Sequence, residues 1–255
     1  MRLCVITCTY NRAHLLPRVI RCFEEQDYED RCMLIYDDGG QYNTTCGDKW
    51  TLFSTPCREP SLGAKRNASI IIAKNYFHDI DAILCCDDDD LFMPWHLSAA
   101  AKALEEADWS RPSVVLMPHV ASDQWFFQPI RTGHNLDHTQ ERLFHPAWAM
   151  SLDAVESVGG YPDDKSGPED QGLMKKMEAA GVTQADPVSD AFQPSYVYCW
   201  GNNNISGMLN KDDRDGVAAW ASLEAKIEKT RLGEWSFPFD PHCPVIVPHI
   251  RPRPF

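Results

Sequence analysis

The sequence lacks several features that would each indicate a different class of protein. It has no window of roughly 18 apolar residues, so no membrane-spanning helix is expected. The opening run MRLCVITCTYNR carries one charge ahead of its apolar residues and polar residues where a cleavage site would stand, which indicates a buried strand rather than a signal peptide. No internal repeat or low-complexity segment occurs. These absences favour a globular protein in the cytoplasm, of a bacterial or of a virus-infected cell.

A cysteine framework for disulfides or zinc is also missing. The ten cysteines include no Cys-x-x-Cys pair, so a zinc knuckle is not expected. Cys4, Cys8, Cys85 and Cys86 lie inside apolar runs, where cysteine behaves as a small hydrophobic residue. We therefore expect reduced thiols, as is typical of cytoplasmic proteins.

Basic residues are scarce relative to acidic ones. The sequence has 24 lysines and arginines against 37 aspartates and glutamates, for a net charge of -13. A surface of that sign disfavours non-specific binding to nucleic acid and favours binding of a divalent cation. With 255 residues, of which 44% are hydrophobic, the chain can bury a sizeable core.

The first half of the sequence alternates short apolar runs with segments of helical periodicity. Strands are predicted at 3–9, 32–36, 50–54 and 82–86, and helices at 13–25, 62–77 and 94–107. The less regular second half predicts strands at 113–117, 124–130 and 196–200 and helices at 153–158, 171–180 and 217–230. The alternation indicates an α/β fold with a Rossmann-like, mostly parallel sheet and helices on both faces.

The strongest chemical signal is the run of four aspartates from Asp87 to Asp90, directly after the apolar run 82–86. Ligands of open parallel sheets bind at the carboxyl ends of strands. Four carboxylates there repel each other unless a cation is present, and hard oxygen ligands suit Mg²⁺ or Mn²⁺. A solvated acidic turn is the alternative. Asp37 and Asp38 end another predicted strand, so both clusters should face the same edge.

Two further pairs of charged residues lie at predicted helix starts. Lys65 and Arg66 could hold a diphosphate at the start of helix 62–77, or lie in an ordinary surface turn. Glu169 and Asp170 precede helix 171–180, where acidic residues also complement the helix dipole. Neither pair indicates a function by itself.

Short motifs occur in a fixed order along roughly residues 2 to 182. They are Thr9-Tyr10-Asn11-Arg12, Asp37-Asp38-Gly39, Gly63-Ala64-Lys65-Arg66-Asn67, Asp87-Asp88-Asp89-Asp90 with Pro94 four residues on, Val158-Gly159-Gly160-Tyr161 and Glu169-Asp170. In this order they resemble the motifs of GT-A fold glycosyltransferases, most of all the large inverting family 2. The resemblance implies a GT-A (nucleotide-diphospho-sugar transferase) fold and transfer of a sugar from a nucleotide-sugar, expected to be a UDP-sugar.

The resemblance also implies a role for each motif. The donor-binding residues would be Thr9, Tyr10, Arg12, Asp37, Asp38, Lys65, Arg66, Asp87 and Asp88, with Thr9, Asp37 and Arg66 at the nucleobase. Asp87 and Asp89 align with the ends of the Asp-x-Asp motif, which makes Asp89 the direct ligand of Mn²⁺ or Mg²⁺ and puts Asp87 nearer the ribose or sugar. Asp170 aligns with the catalytic base of an inverting reaction, and Glu169 would help to position the acceptor.

One departure from the family pattern concerns residues 198–206. Many relatives carry a histidine there that binds the metal or the diphosphate, whereas this sequence has Trp200. The metal would then have fewer protein ligands, unless His145 or His242 substitutes. Trp200 and Asn203 are predicted to contact the acceptor, because an aromatic face suits a sugar or a base; a place in the core is the alternative for Trp200.

The resemblance suggests a division of the chain into three parts. Residues 1–112 would form the nucleotide-sugar-binding half and residues 113–205 the acceptor-binding and catalytic half of the same domain. Residues 206–255 would form a carboxyl-terminal helix and a proline-rich segment that wraps the domain. The expected acceptor is soluble, a saccharide, a protein or a hydroxymethylated pyrimidine of phage DNA, without stable membrane insertion. The acidic charge is unfavourable for DNA; the oligomeric state stays open.

Two other functions are alternatives. A nucleotidyltransferase would have a glycine-rich basic loop after the first strand, and residues 9–12 contain no glycine. A non-catalytic module that binds nucleotide or carbohydrate would not need Asp89 and Asp170.

Overall fold

A computed structural model of the protein describes residues 1–121, 124–131, 145–163, 168–189 and 194–198. For residues 117–121, 124–131 and 145 only the backbone is described. The predicted helix 217–230, the segment 206–255, Trp200, Asn203 and His242 lie outside these ranges. In the ranges given, no helix is both long enough and apolar enough to cross a membrane.

The described residues form two β-sheets with helices packed around them. The strands are β1 (Leu3–Thr9), β2 (Arg31–Asp37), β3 (Thr45–Cys46), β4 (Trp50–Ser54), β5 (Ala82–Cys85), β6 (Leu91–Phe92), β7 (Trp109–Ser110), β8 (Val114–Ala121), β9 (Gln124–Arg131), β10 (Ala149–Ser151), β11 (Gln184–Ala185) and β12 (Tyr196–Val197). The helices are α1 (Leu16–Glu24), α2 (Leu62–Tyr76), α3 (His96–Leu104), α4 (Leu152–Ser157) and α5 (Glu169–Ala179), with a 3-10 turn at His145–Ala147.

The larger sheet has the strand order β11-β7-β10-β5-β1-β2-β4-β3. Strands β5, β1, β2 and β4 are parallel neighbours, which confirms the mostly parallel α/β prediction. Strand β10 is antiparallel to both β5 and β7, and β3 is antiparallel to β4 at the edge. Because β1, β2 and β5 run in one direction, the residues at their carboxyl ends meet at one edge of the sheet.

Alternate residues of the central strands point to opposite faces, and each face is covered by helices. On β1, Leu3 and Val5 pack in a cluster with residues of α1 and α3, whereas Cys4 and Ile6 pack with residues of α2, α4 and α5. Each fully buried Leu, Ile or Phe side chain contributes about 1.5–3 kcal/mol to stability. The two apolar layers confirm the prediction of helices on both faces and fix the sheet edge that carries the charged residues.

The start of α2 is fixed by local capping and by a close backbone contact. The hydroxyl of Ser61 accepts a hydrogen bond from the Ala64 N–H at 3.0 Å. A Cβ atom on Gly63 would lie 1.9 Å from the carbonyl oxygen of Pro162, so only glycine fits there. This contact brings the first turn of α2 beside the first turn of α5, where Glu169 lies.

The smaller sheet has the strand order β6-β12-β8-β9. Strand β6 begins immediately after the four aspartates, and its Phe92 pairs with Tyr196 of the antiparallel strand β12. Strand β12 ends at Val197, before the end of the predicted strand 196–200, and the sequence pattern does not predict β6. This pairing brings residues near 196 next to the aspartate run.

Candidate active site

The run from Asp87 to Asp90 is anchored to the end of β1 through Asp88. The hydroxyl of Thr9 donates to Oδ2 of Asp88 at 2.7 Å, and Nη1 of Arg12 donates to Oδ1 of Asp88 at 2.6 Å. Asp88 is buried. The same Arg12 nitrogen lies 2.9 Å from Oδ2 of Asp89. The structure therefore brings Thr9, Arg12 and Asp88 into contact, and the donor-binding role of each stays a prediction.

The other three aspartates of the run converge. Asp87, Asp89 and Asp90 each offer one carboxylate oxygen, and these oxygens all lie within 4.8 Å of one another. Burial, and then the charge of Asp87, raises the pKa of Asp89 to about 6. Carboxylates held this closely repel one another in the absence of a cation, and hard oxygen donors suit Mg²⁺ or Mn²⁺. The residues present thus fit a divalent cation, with Asp90 added to the predicted pair.

Asp37 ends β2, and its carboxylate holds the turn that follows. Its Oδ1 accepts from the Gly39 N–H at 3.1 Å. Its Oδ2 accepts from the Gln41 N–H at 2.9 Å and from the Ser54 hydroxyl at 2.7 Å. Asp37 is fully buried. These contacts explain its place in the fold; its contact with a nucleobase stays a prediction.

Lys65 links the ends of β1 and β2 from the first turn of α2. Its Nζ donates to Oδ1 of Asp38 at 2.6 Å and to the carbonyl oxygen of Thr9 at 2.6 Å. Both Lys65 and Asp38 are buried, and Arg58 also pairs with Asp38. Although burial opposes it, the hydrogen bond from Lys65 lowers the pKa of Asp38. Lys65 and Asp38 therefore lie together at the carboxyl edge of the sheet, with each charge partnered within the protein. That either residue binds the donor stays a prediction.

Tyr10 presents its ring at the same edge. Its side chain is 42% exposed, and the guanidinium carbon of Arg58 lies 3.8 Å from the ring centroid. The ring of Tyr10 and the planar guanidinium of Arg58 are groups on which a planar ligand could stack. Sequence reasoning missed Arg58, since a single arginine in the loop 55–60 matches no motif.

Arg66 joins the aspartate run to the first turn of α5. Its Nε donates to Oε1 of Glu169 at 3.1 Å, and its Nη2 lies 3.4 Å from Oδ1 of Asp87. The guanidinium lies over the ring of Tyr161, and the side chain is 5% exposed. Nη1 is buried and makes no hydrogen bond within the part of the chain that the structure describes. Arg66 therefore connects the predicted donor and catalytic residues directly.

Glu169 and Asp170 form the first turn of α5, which begins at Glu169 rather than at the predicted residue 171. Burial, and then the charge of Glu169, raises the pKa of Asp170 above its ordinary value. A carboxylate whose pKa is raised accepts a proton more readily once it is ionised. The arrangement is suited to general-base catalysis at Asp170, beside a Glu169 that is paired with Arg66.

The structure also shows a contact that the sequence did not indicate. The hydroxyl of Tyr196 donates to Oδ2 of Asp90 at 2.7 Å, across 106 residues of sequence. No local pattern could have paired residues so far apart. Of the two histidines predicted as possible further metal ligands, His145 lies in the 3-10 turn with only its backbone described, and His242 lies outside the described ranges.

Comparisons with solved structures show the fold. TarS (residues 1–349) of S. aureus, in complex with UDP-GlcNAc, matches with a TM-score of 0.51 and 16% identity, over 80% of this chain and 60% of that one. The mannosyltransferase PcManGT of Pyrobaculum calidifontis, in complex with GDP-Man and Mn²⁺, matches with a TM-score of 0.50 and 17% identity, over 80% of this chain and 58% of that one. These neighbours are GT-A fold glycosyltransferases, which confirms the predicted fold.

Comparisons of sequence show the family. An uncharacterized glycosyltransferase of Bacillus subtilis (strain 168), YwdF, is 30% identical over 115 residues, which cover 43% of this chain and 40% of that protein. The chain thus spans well under two thirds of the length of this relative. The sequence model of glycosyl transferase family 2 matches residues 4–147. That match extends over more than half of the chain, and so the protein belongs to glycosyl transferase family 2.

Proposed function

We propose that the protein transfers a sugar from a nucleotide-diphosphate sugar, in the first instance a UDP-sugar, to an acceptor hydroxyl with inversion and with Mn²⁺ or Mg²⁺. The observation that carries the proposal is the convergence of Asp87, Asp89 and Asp90, whose oxygens lie within 4.8 Å of one another at the carboxyl edge of the sheet. Arg66 connects this cluster with Glu169, next to Asp170. The cation, the nucleotide-sugar donor and the catalytic base would thus all lie at the carboxyl edge of the larger sheet.

Asp89 and Asp87 would hold the cation, which when bound acts as a Lewis acid on the diphosphate that leaves. Arg12 orients Asp89 through its hydrogen bond and is itself fixed by Asp88. The buried Arg66 would place a further positive charge near the diphosphate. Fixed charges of this kind stabilise a transition state because they need no reorganisation during the reaction.

The choice of a nucleotide-sugar is supported by the neighbours in structure. TarS was crystallised with UDP and with UDP-GlcNAc, and PcManGT with GDP-Man. The choice of UDP rests on the resemblance of Thr9, Asp37 and Arg66 to uracil-binding residues of the family. The half-exposed ring of Tyr10 offers a surface on which the base would stack.

Asp170 would remove the proton of the acceptor hydroxyl. Inversion needs one base on the side of the sugar opposite to the leaving group. Glu169 would position the acceptor while its charge is balanced by Arg66. The acceptor would be a saccharide, a protein or a modified DNA base, contacted by Trp200 and Asn203.

The test is a screen for nucleotide release from UDP-, GDP-, ADP-, CMP- and dTDP-sugars, with Mn²⁺ and with a chelator. We expect release from a UDP-sugar that the chelator abolishes. Asp89→Ala should lose metal-dependent donor binding. Asp170→Asn should bind the donor as the wild type does and lose transfer by about 10²–10⁴-fold, the usual contribution of a general base.

Each result has a defined consequence. Unchanged transfer by the Asp170→Asn protein would remove Asp170 as the base. Release that persists in chelator would contradict the metal requirement. If no donor is hydrolysed and no nucleotide binds, the catalytic proposal is wrong and a non-catalytic binding protein is the better account.

A further inference from the structure

We propose that Arg58 binds the nucleobase of the donor, as a planar cation that lies against the ring of Tyr10 at the carboxyl edge of the larger sheet. The inference rests on the proposed transfer from a nucleotide-sugar and adds to it a residue that determines donor affinity. Arg58 lies outside the motifs that resemble family 2, and its contacts with Tyr10 and Asp38 in the fold distinguish it.

The Arg58 guanidinium and the Tyr10 ring form one partly exposed surface. The guanidinium carbon lies 3.8 Å from the ring centroid, well within the ~6 Å at which a cation interacts with an aromatic face. The Tyr10 side chain is 42% exposed and the Arg58 side chain 55% exposed, so both keep area that a ligand can cover. Aromatic rings and arginine planes are the groups on which proteins stack unpaired bases.

The charge of Asp38 does not require Arg58. Nζ of Lys65 donates to Oδ1 of Asp38 at 2.6 Å, and the Glu59 N–H donates to its Oδ2 at 3.1 Å. Lys65 and Asp38 are buried, whereas more than half of the Arg58 side chain is exposed, and solvent screens an ion pair with an exposed partner. Arg58 is therefore a second cation on a carboxylate that is already paired, and its loss should leave the fold intact.

The loop that carries Arg58 is fixed on both sides of it. Before Arg58, the Thr55 N–H donates to the carbonyl oxygen of Asp37 at 2.9 Å. After it, the side chain of Glu59 accepts from the hydroxyl of Tyr36 at 2.8 Å. Because the loop is fixed and the guanidinium is ion-paired, Arg58 loses little conformational freedom when a ligand binds, which lowers the entropic cost of binding.

Tyr10 is held in place by the turn that follows β2. The N–H of the adjacent Asn11 donates to Oε1 of Gln41 at 2.6 Å, and Asn11 itself adopts a left-handed backbone with φ 58. A Cβ atom on Gly39 would lie 3.1 Å from two carbons of the Tyr10 ring, so glycine leaves the space that the ring occupies. Both parts of the proposed surface are therefore positioned before the donor binds.

The chemistry of the guanidinium favours a base that carries a carbonyl oxygen. Arginine offers five N–H donors and no acceptor, and among the described residues the hydrogen-bond acceptor of Arg58 is Asp38. The other donors suit a carbonyl oxygen of the base, such as those of uracil or guanine. Arginine also binds phosphate, so the experiment has to distinguish a contact with the base from one with the diphosphate.

The experiment measures the affinity of the full-length protein for UDP and for GDP by titration calorimetry with Mn²⁺. The affinity for pyrophosphate is measured by its competition with the tighter nucleotide. Arg58→Ala should weaken binding of that nucleotide about 10-fold, the usual size of a stacking or cation–π contact, and leave pyrophosphate binding unchanged. Arg58→Lys keeps the charge without the planar group and should bind almost as weakly as Arg58→Ala.

Arg21→Ala is the matched control. Arg21 is also a partly exposed arginine in an ion pair, with Glu25, and it lies in the last turn of α1, which leads away from the carboxyl edge toward the start of β2. Its variant should bind the nucleotide and pyrophosphate as the wild type does. Thermal melting of each variant reports folding, and Arg58→Ala should melt like the wild type.

The inference is overturned if Arg58→Ala binds the nucleotide as the wild type does. It is also overturned if nucleotide and pyrophosphate binding weaken by the same factor, which would indicate a contact with the diphosphate or a structural role. Wild-type affinity in Arg58→Lys would show that charge alone matters and would contradict stacking. In each case the wild type still binds nucleotide and the proposed function stands; a wild-type protein that binds neither UDP nor GDP would instead contradict the proposed donor.

Discussion

Single residues at the carboxyl edge differ in their surroundings even where they are adjacent in sequence. Asp88 and Asp90 are both buried, yet Asp88 pairs with Arg12 and Asp90 accepts from Tyr196. Asp89, between them, carries a pKa raised to about 6 by burial and by Asp87. Asp88 therefore anchors the run to β1, whereas Asp87, Asp89 and Asp90 place carboxylate oxygens close together. The residues differ because each side chain contacts a different part of the fold.

Glu169 and Asp170 are also adjacent in sequence and differ in their surroundings. This difference leads to a prediction about the pH dependence of kcat/KM. Burial and the charge of Glu169 raise the pKa of Asp170, so the base becomes protonated at a higher pH than an ordinary aspartate. At saturating Mn²⁺, the loss of kcat/KM on acidification should therefore occur above pH ~4, near which a free aspartate titrates. Glu169→Gln removes one negative charge and frees Arg66, so the acid limb should move to lower pH.

The measurement is a profile of kcat/KM against pH for the wild type and the Glu169→Gln variant. Glu156→Gln is the control, because Glu156 pairs with Lys74 on the exposed surface of α2 and α4 and should leave the profile unchanged. An acid limb that stays in place or moves upward in Glu169→Gln would contradict the role given to Glu169.

At the scale of elements, the turn after β2 shows how a motif residue can serve the fold. Asp37 accepts hydrogen bonds from Gly39, Gln41 and Ser54, and the last of these lies on the parallel neighbour β4. The carboxylate therefore ties the carboxyl ends of two strands together. Gly40, at φ 65, adopts the left-handed backbone that this turn requires.

Asp37→Ala should consequently lower the free energy of unfolding of the ligand-free protein by about 3 kcal/mol, since it leaves buried donors without an acceptor. Ser54→Ala removes one of these donors and should cost less, about 1–2 kcal/mol. Urea unfolding of both variants gives the comparison. A stable Asp37→Ala protein that binds UDP weakly would instead support a role of Asp37 in nucleobase binding alone.

The sequence sufficed to predict the elements with long apolar runs. Strands β1 and β4 begin and end where their apolar runs do, because buried parallel strands are apolar throughout. Strands β7, β10 and β11 have two or three residues each, which is too short to show a period. The antiparallel insertion of β10 between β5 and β7 could not be predicted for that reason.

The site could be predicted where its residues follow strands and not where the fold brings distant strands together. The ends of β2 and β5 indicated Asp37 and the aspartates, since parallel strands end at one edge, whereas Thr9 was implied by the resemblance to family 2. The orientation of Asp88 toward Arg12 and the contact of Asp90 with Tyr196 depend on packing between distant segments. Arg58 was missed for the same reason, because only its contacts with Tyr10 and Asp38 distinguish it.

At the scale of the whole molecule, the edge of the larger sheet joins segments from across the chain. The end of β1, the aspartate run, the first turn of α2, the first turn of α5 and strand β12 contribute neighbouring groups. Through its hydrogen bond to Glu169, Arg66 connects the family-matched segment, residues 4–147, with the helix that carries Asp170. The central claim is that one divalent cation at this edge is held by Asp89 together with Asp87 and Asp90.

Anomalous diffraction at the manganese edge, on crystals soaked with Mn²⁺ and UDP, tests this claim most directly. We predict an anomalous peak about 2.0–2.6 Å from a carboxylate oxygen of Asp89, the distance that divalent cations keep from oxygen ligands. Asp87 and Asp90 should contribute further oxygen ligands, and the diphosphate of UDP should lie on the side of the manganese away from the three aspartates. An ordered UDP whose Mn²⁺ binds away from these three aspartates, or an ordered UDP with no manganese beside it, would contradict the account.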